Sequence, residues 1–380
     1  MRSLSTVPAA WISAARHASD GAALNEHVSL PADWRVNNFD LIRLLAALQV
    51  AVMHALMYLK PVGFLRLVQF GLDLFPGVPI FFVISGLLIS KSYEQSDSIR
   101  HYYQNRCLRI FPALWVCLAA SLGVICAMGI GLLGTVSTRD WLLWWAAQMS
   151  IFQSYGADFM KPLGSGGLNS SLWTIPVELE FYLFLPALYG MFQLRRRRGN
   201  TLVLVVLMVS LAVELVLVHG RRHFPRIADY GFLERTLAPY LWMFLVGVLI
   251  QRNWTAVRGW LADRAHWWFL AYLLLCLLAT LLRIDLGGND ISPIFLLPLA
   301  GLVMSIGMSA RGLSDRILQH QDISYGLYIY HMLVIRLMMQ FAVLSLSAVI
   351  AISLALAIIS WTLVERPFLK RKRRTLRALS

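Results

Sequence analysis

Apolar runs about as long as a bilayer crossing recur along the chain, separated by short polar segments. They predict helices over about 39–59, 72–90, 110–133, 171–193, 201–219, 232–251, 266–283, 291–310, 322–340 and 343–364. A run of roughly 20 apolar residues spans a hydrocarbon core of about 30 Å, and only a helix satisfies its own backbone polar groups there. The pattern therefore predicts an all-α integral membrane protein of about ten transmembrane helices. Between 134 and 170 the pattern breaks: WLLWWAAQMSIF and the glycine-rich LGSGG are too short and too interrupted to cross. An interfacial or re-entrant piece on the outer side, anchored by Trp141, Trp144 and Trp145, fits that stretch better. No repeat, low-complexity tract or separate soluble domain interrupts the series.

Composition sharpens this picture. With 58% of 380 residues hydrophobic and only 14% charged, the chain has too little polar surface for an ordinary soluble domain. A formal charge of +14 would suit a nucleic-acid binder, but the positive residues fall in short blocks between apolar spans. That arrangement is a topology signal and argues against nucleic acid as a partner. With the N-terminus in the cytoplasm, 23 Lys and Arg lie inside and 8 outside, so both termini are expected to be cytoplasmic. The chain then divides into a cytoplasmic N-terminal segment (1–38), a transmembrane domain (39–368) and a basic cytoplasmic tail (369–380). The first 38 residues hold no apolar stretch of signal-peptide type, so the first span is expected to act as an uncleaved anchor. Cys107, Cys117, Cys126 and Cys276 show neither metal-ligand spacing nor a disulfide framework and read as reduced packing residues; no metal is expected. The RRRR run and the KRKRR tail read as topology and lipid-headgroup signals.

The candidate chemistry lies in polar residues that interrupt apolar spans. Arg43 and His54 are eleven residues apart in LIRLLAALQVAVMHALMYL, which puts them on one helix face roughly 16 Å apart. Either residue costs roughly 2.5–3.5 kcal/mol or more at a bilayer centre, so both should face protein or a wet cavity. A snorkelling arginine beside a packed, hydrogen-bonded histidine is the plainer alternative. Asp40, three residues before Arg43, is placed to orient the guanidinium. Glu178, in SLWTIPVELEFYLFLP, and His331, in DISYGLYIYHMLV, fall within about two turns of His54 in depth. Ser324, Tyr328 and His331 share one stripe, whereas Glu180 faces away from Glu178. Arg100, Arg106 and Arg109, with Tyr102, Tyr103 and Trp115, form either a positive-inside anchor or a phosphate site. Glu214, Glu234 and Arg235 have no evident role.

Six ordered blocks are similar to the acyltransferase-3 family of polytopic membrane acyltransferases. They are FDLIRLLAALQVAVMHA (39–55), GVPIFFVISGLLIS (77–90), RCLRIFPALW (106–115), LWTIPVELEFYLFLP (172–186), ISYGLYIYH (323–331) and VERPF (364–368). By that resemblance Arg43 and His54 match the family's arginine and catalytic histidine. Phe81, Phe82, Ser85 and Gly86 match its FFxxSG block, and Arg106 and Arg109 its basic cytoplasmic loop. Glu178 matches the acidic position after the motif led by Trp173, and Tyr325, Tyr328 and His331 match the late block. The resemblance implies a roughly ten-helix core in the bacterial cytoplasmic membrane. It also implies transfer of an acyl group, most commonly acetyl, from cytoplasmic acyl-coenzyme A to a hydroxyl of a cell-surface carbohydrate or its lipid-linked precursor, with no bound cofactor. Acyl-coenzyme A would dock its phosphates near Arg43, Arg106 and Arg109. His54 would act as general base or as a transient acyl carrier, oriented by Glu178 or His331. Many members carry an acidic residue where this chain has Pro79, so a carboxylate there is not part of the mechanism. A transporter or flippase is the competing class, disfavoured by the absence of an internal repeat and of paired broken helices.

Overall fold

In a computed structural model, residues 36–127, 137–150, 152, 169–191, 199–223, 233 and 235–377 are described. The elements are helical: α1 (Phe39–Leu59), α2 (Phe64–Asp73), α3 (Gly77–Glu94), α4 (Ile99–Ala127), α5 (Thr138–Gln148), α6 (Thr174–Met191), α7 (Gly199–His223) and α8 (Leu241–Arg252). They continue with α9 (Trp254–Leu261), α10 (Ala265–Leu281), α11 (Pro293–Met308), α12 (Leu313–Leu318), α13 (Ser324–Gln340), α14 (Leu346–Ser360), a π-helical turn (Trp361–Glu365) and α15 (Arg366–Arg377). No strand occurs among the described residues.

Each of the ten apolar intervals holds a helix, but not every one is long enough to cross alone. Among the described residues, five helical segments have the length and apolarity for a crossing: 39–59, 64–94, 99–124, 199–217 and 346–371. The pair α9 and α10, bent by 78° at its break, makes a sixth if counted as one. α8 and α11 are apolar but shorter, with 12 and 16 residues. Large apolar side chains cover much of the surface as well as the core. Leu270, Leu273, Leu274, Leu277, Leu278 and Leu281 of α10 are exposed, while His331, Ser324, Ser353 and Glu365 are buried. Leucine turned outward and polar groups turned inward suit a lipid surround, so this is a membrane protein.

One expectation is corrected here. The basic stretch 99–111 is not a loop, because α4 runs unbroken through it and Pro112, so Arg106 and Arg109 are helical neighbours. The aromatic segment forms the short helix α5, started by the Ser137 hydroxyl accepting from the Asp140 amide; residues 153–168, with the LGSGG stretch, lie outside the described residues.

Glycines set the closest approaches. A Cβ on Gly86 would stand 1.9 Å from the Phe244 carbonyl oxygen, and one on Gly247 would stand 2.1 Å from that of Val83. α3 and α8 therefore touch backbone to backbone, as small residues permit in membranes. Gly86→Ala should force the pair apart and cost about 1–3 kcal/mol. Gly123→Ala on α4, with nothing within 4 Å, is the control. A melting temperature for Gly86→Ala equal to that of Gly123→Ala would contradict the contact.

Candidate active site

α1 and α13 run parallel in nearly constant register. Arg43 meets Asp322 and His54 meets His331, at sequence offsets of 279 and 277. Both helices begin at the same end of the bundle, so one pair lies about 16 Å above the other. The start of α1 is fixed by Asn38, whose side-chain nitrogen donates to the Ser309 carbonyl at 2.6 Å and whose oxygen accepts from the Ser314 amide at 3.0 Å. Its middle is tied to α3 by Gln49, which donates to the Leu72 carbonyl at 3.0 Å and accepts from the Gly77 amide at 3.0 Å. That amide is one of the unpaired groups at a helix start.

The lower level is a buried ion cluster. Arg43 Nη1 donates to Asp322 Oδ2 at 2.6 Å, and Arg109 Nη2 donates to the same oxygen. Arg109 Nη1 also lies 3.6 Å from Glu365 Oε2, and Asp322 Oδ1 accepts from the Ser324 amide at 3.3 Å. Glu365 reaches this point because it ends the π-helical turn, which carries an extra residue and re-aims the side chain inward. Asp40 stands 4.0 Å from Arg43, so its orienting part is minor beside that of Asp322. The two guanidinium groups thus face three carboxylates.

Arg106 does not join them. It donates from Nη2 to Ser92 Oγ at 3.0 Å and lies 5.7 Å over the Tyr182 ring. The expected group of three phosphate-binding arginines is therefore split into a charge-compensated pair and one arginine elsewhere. The reason is that Arg106 and Arg109, three positions apart, meet different neighbours: α3 and α6 for one, α13 and the π-helical turn for the other.

At the upper level, His54 Nδ1 lies 2.8 Å from His331 Nε2. The ring planes differ by 9° at a centroid separation of 5.1 Å, which fits two rings joined edge to edge through their nitrogens. His331 Nδ1 lies 2.7 Å from the Tyr328 carbonyl, and a carbonyl only accepts. Nδ1 of His331 therefore carries the proton. With both rings neutral, its Nε2 accepts from Nδ1–H of His54, leaving Nε2 of His54 as an unprotonated lone pair. Burial of His331 (0% exposed) holds the relay rigid, while His54 keeps partial access.

Glu178 does not take the orienting place that depth alone suggested. It accepts from the Tyr182 hydroxyl at 2.6 Å and from Ser85 Oγ at 3.5 Å, while the His54 Nδ1 position belongs to His331. Glu178 and Glu180 do part company as expected: Glu180 accepts from the Leu237 amide at 2.6 Å.

Glu178 instead lines a small cavity with Arg43, Phe81, Ser85, Thr174, Ser324, Tyr325 and Tyr328. Tyr328 joins cavity and histidines. Its hydroxyl pairs with Thr174 at 2.8 Å, and its ring meets those of Phe81 and His331 edge-on at 5.7 and 5.9 Å. Tyr325 donates to the Ile110 carbonyl at 3.1 Å, tying α13 to α4, and Trp173 packs on Tyr240 with centroids 5.3 Å apart. Asp322 and Glu365 were not picked out from the sequence, although both lie at the edge of motif blocks. Arg336 was also passed over. It interrupts the apolar span 322–340 as Arg43 interrupts the first, and that signal would have found it.

The arrangement offers an oriented base beside a partly apolar cavity with cations at one end, which suits proton removal from a hydroxyl during group transfer. Comparisons with known proteins agree. The sequence pattern of a family described as an acyltransferase domain matches residues 36–365. The chain is 33% identical over 364 residues to nodulation protein 10 of Rhizobium leguminosarum bv. viciae, covering 91% of this chain and 95% of that one. It is 31% identical over 183 residues to an O-acetyl transferase of Shigella phage Sf6, covering 47% of this chain and 52% of that one. With the putative peptidoglycan O-acetyltransferase YrhL of Bacillus subtilis (strain 168) the identity is 26% over 200 residues, 48% of this chain and 30% of that one. No solved structure matches.

Proposed function

Because the chain belongs to the acyltransferase-3 family and is a membrane-bound acyltransferase, we propose that it moves an acyl group, acetyl in the first instance, from cytoplasmic acyl-coenzyme A to a carbohydrate hydroxyl. The acceptor is a cell-surface saccharide or its lipid-linked precursor, and the enzyme works in the bacterial cytoplasmic membrane. The histidine relay carries this reading. It fixes a lone pair on His54 Nε2 midway along α13 and three-quarters of the way along α1, inside the bundle, where groups approaching from the two membrane faces would meet.

In the proposed step, His54 Nε2 takes the proton of the acceptor hydroxyl as its oxygen attacks the thioester carbonyl. The C–S bond then breaks, and the coenzyme A sulfur leaves with the proton that His54 held. Base catalysis is preferred to a covalent acyl-histidine because Nδ1 of His54 is bound to His331, which serves to hold a base in place. The place we give the acyl-pantetheine arm is the cavity between Arg43 and Tyr328, which lies between the ion cluster and the histidines and is lined by Phe81, Ser85, Thr174 and Glu178. Arg43 and Arg109 would meet the donor's phosphates only by sharing or yielding Asp322, and Arg106 would meet them from its separate position. The names of two relatives, an O-acetyl transferase and a putative peptidoglycan O-acetyltransferase, support O-acylation and a saccharide acceptor.

Ten crossings, with both termini and the donor side in the cytoplasm, complete the reading, as does the division into 1–38, 39–368 and 369–380. Its support is the asymmetry of 23 inside to 8 outside positive residues. Purified protein given acetyl-coenzyme A should release free coenzyme A thiol. Absence of release with acetyl- and longer acyl-coenzyme A donors would overturn the proposal.

A further inference from the structure

We propose that Arg336, seated on Tyr58, forms an acceptor-side subsite that binds a phosphate or carboxylate group carried by the acceptor. The inference rests on the acyl-transfer reading of the histidine pair. Arg336 and Tyr58 form the third rung between α1 and α13, and the Arg336 guanidinium lies 5.3 Å from the Tyr58 ring centroid. Tyr58 is one turn beyond His54 and Arg336 five residues beyond His331, so this rung stands roughly 6–8 Å above the histidines. The Arg43–Asp322 level lies on the opposite side of them.

The three arginines of these rungs are treated differently. Arg43 and Arg109 meet Asp322, and Arg109 also meets Glu365. Arg336 meets an aromatic face and, among the described residues, no carboxylate; its Nε is buried without a hydrogen-bond partner. An uncompensated cation in a membrane helix is costly and marks a functional position. Its seat is firm, since Tyr58 packs on the cluster of Ala55, Met332, Ile335, Met338 and Val349. The planar fork of a guanidinium matches phosphate and carboxylate oxygens, and an anion bound there would supply the missing counter-charge. From this rung, a saccharide hydroxyl a few ångströms from the anion reaches the His54 base.

Wild-type protein in phosphatidylcholine nanodiscs is treated with a decyl phosphate bearing a diazirine. Photolabelling should fall on the ends of α1 and α13, around Tyr58 and Arg336, and should be displaced by dodecyl phosphate but not by an equal amount of phosphatidylglycerol. Arg336→Gln should weaken dodecyl phosphate binding at least tenfold, and Arg336→Lys should recover part of the loss. Labelling only elsewhere, equal affinity in Arg336→Gln, or equal displacement by phosphatidylglycerol would each overturn the subsite. The last result would assign Arg336 to lipid headgroups. The photolabelling arm needs no variant to fold. Release of coenzyme A by the wild type is read in the same nanodiscs: release with unchanged Arg336→Gln binding defeats the subsite alone, whereas labelling at Arg336 without release defeats the acyl-transfer reading.

Discussion

His54→Asn should lower kcat by about 10²- to 10⁴-fold, the usual worth of a positioned base, while the protein stays folded and KM for the donor changes little. The side-chain amide of asparagine keeps an N–H donor for His331 Nε2, so the relay partner stays satisfied. It offers no basic lone pair in place of Nε2. His54→Ala should be as inactive and also less stable by about 1–3 kcal/mol, because the fully buried His331 then loses its partner. His331→Asn should cost less activity, since His54 keeps its base but loses the bond that fixes its tautomer. The double variant should be little worse than His54→Asn alone, as expected of residues acting as one unit. Steady-state turnover with the wild type as reference decides this, and near-wild-type turnover in His54→Asn would sink the assignment of the base.

Asp322→Ala should produce the largest loss of stability. One carboxylate oxygen receives both Arg43 and Arg109, and the side chains of all three are less than one-fifth exposed. Removing one member of a buried ion cluster leaves uncompensated charge and typically costs about 3–5 kcal/mol. Arg43→Ala should be milder, because Arg109 keeps Asp322 and Glu365 as partners. Adding Arg43→Ala to Asp322→Ala should recover part of the loss by removing one of the stranded cations. A melting temperature for Asp322→Ala equal to wild type would show that the cluster contributes nothing. Donor KM measured on the same variants separates the two roles of the arginines: if they also hold phosphate, Arg43→Ala raises KM beyond what its modest instability explains.

The contrast between Glu178 and His331 explains why half the site escaped sequence reasoning. Both residues lie within about two turns of His54 in depth, and depth is legible because each helical residue adds about 1.5 Å along an axis that the bilayer holds near its normal. Depth leaves the azimuth open. Glu178 turns toward Tyr182 and Ser85, and His331 toward His54, because of how α6 and α13 are rotated in the bundle.

The sequence by itself determined the helical class, the positions of the apolar segments, the interruption of α1 by Arg43 and His54, and the levels of Glu178 and His331. All are one-dimensional properties, written in hydropathy and in the helical period. Only the tertiary structure decided that Asp322 holds both Arg43 and Arg109, that Arg106 stands apart, that a π-helical turn brings in Glu365, and that Arg336 rests on Tyr58. Those pairings depend on helix register and rotation. Register and rotation come from packing between segments far apart in the chain, such as the backbone contact of Gly86 with Phe244 and the fit of α1 against α13, and no segment encodes them alone.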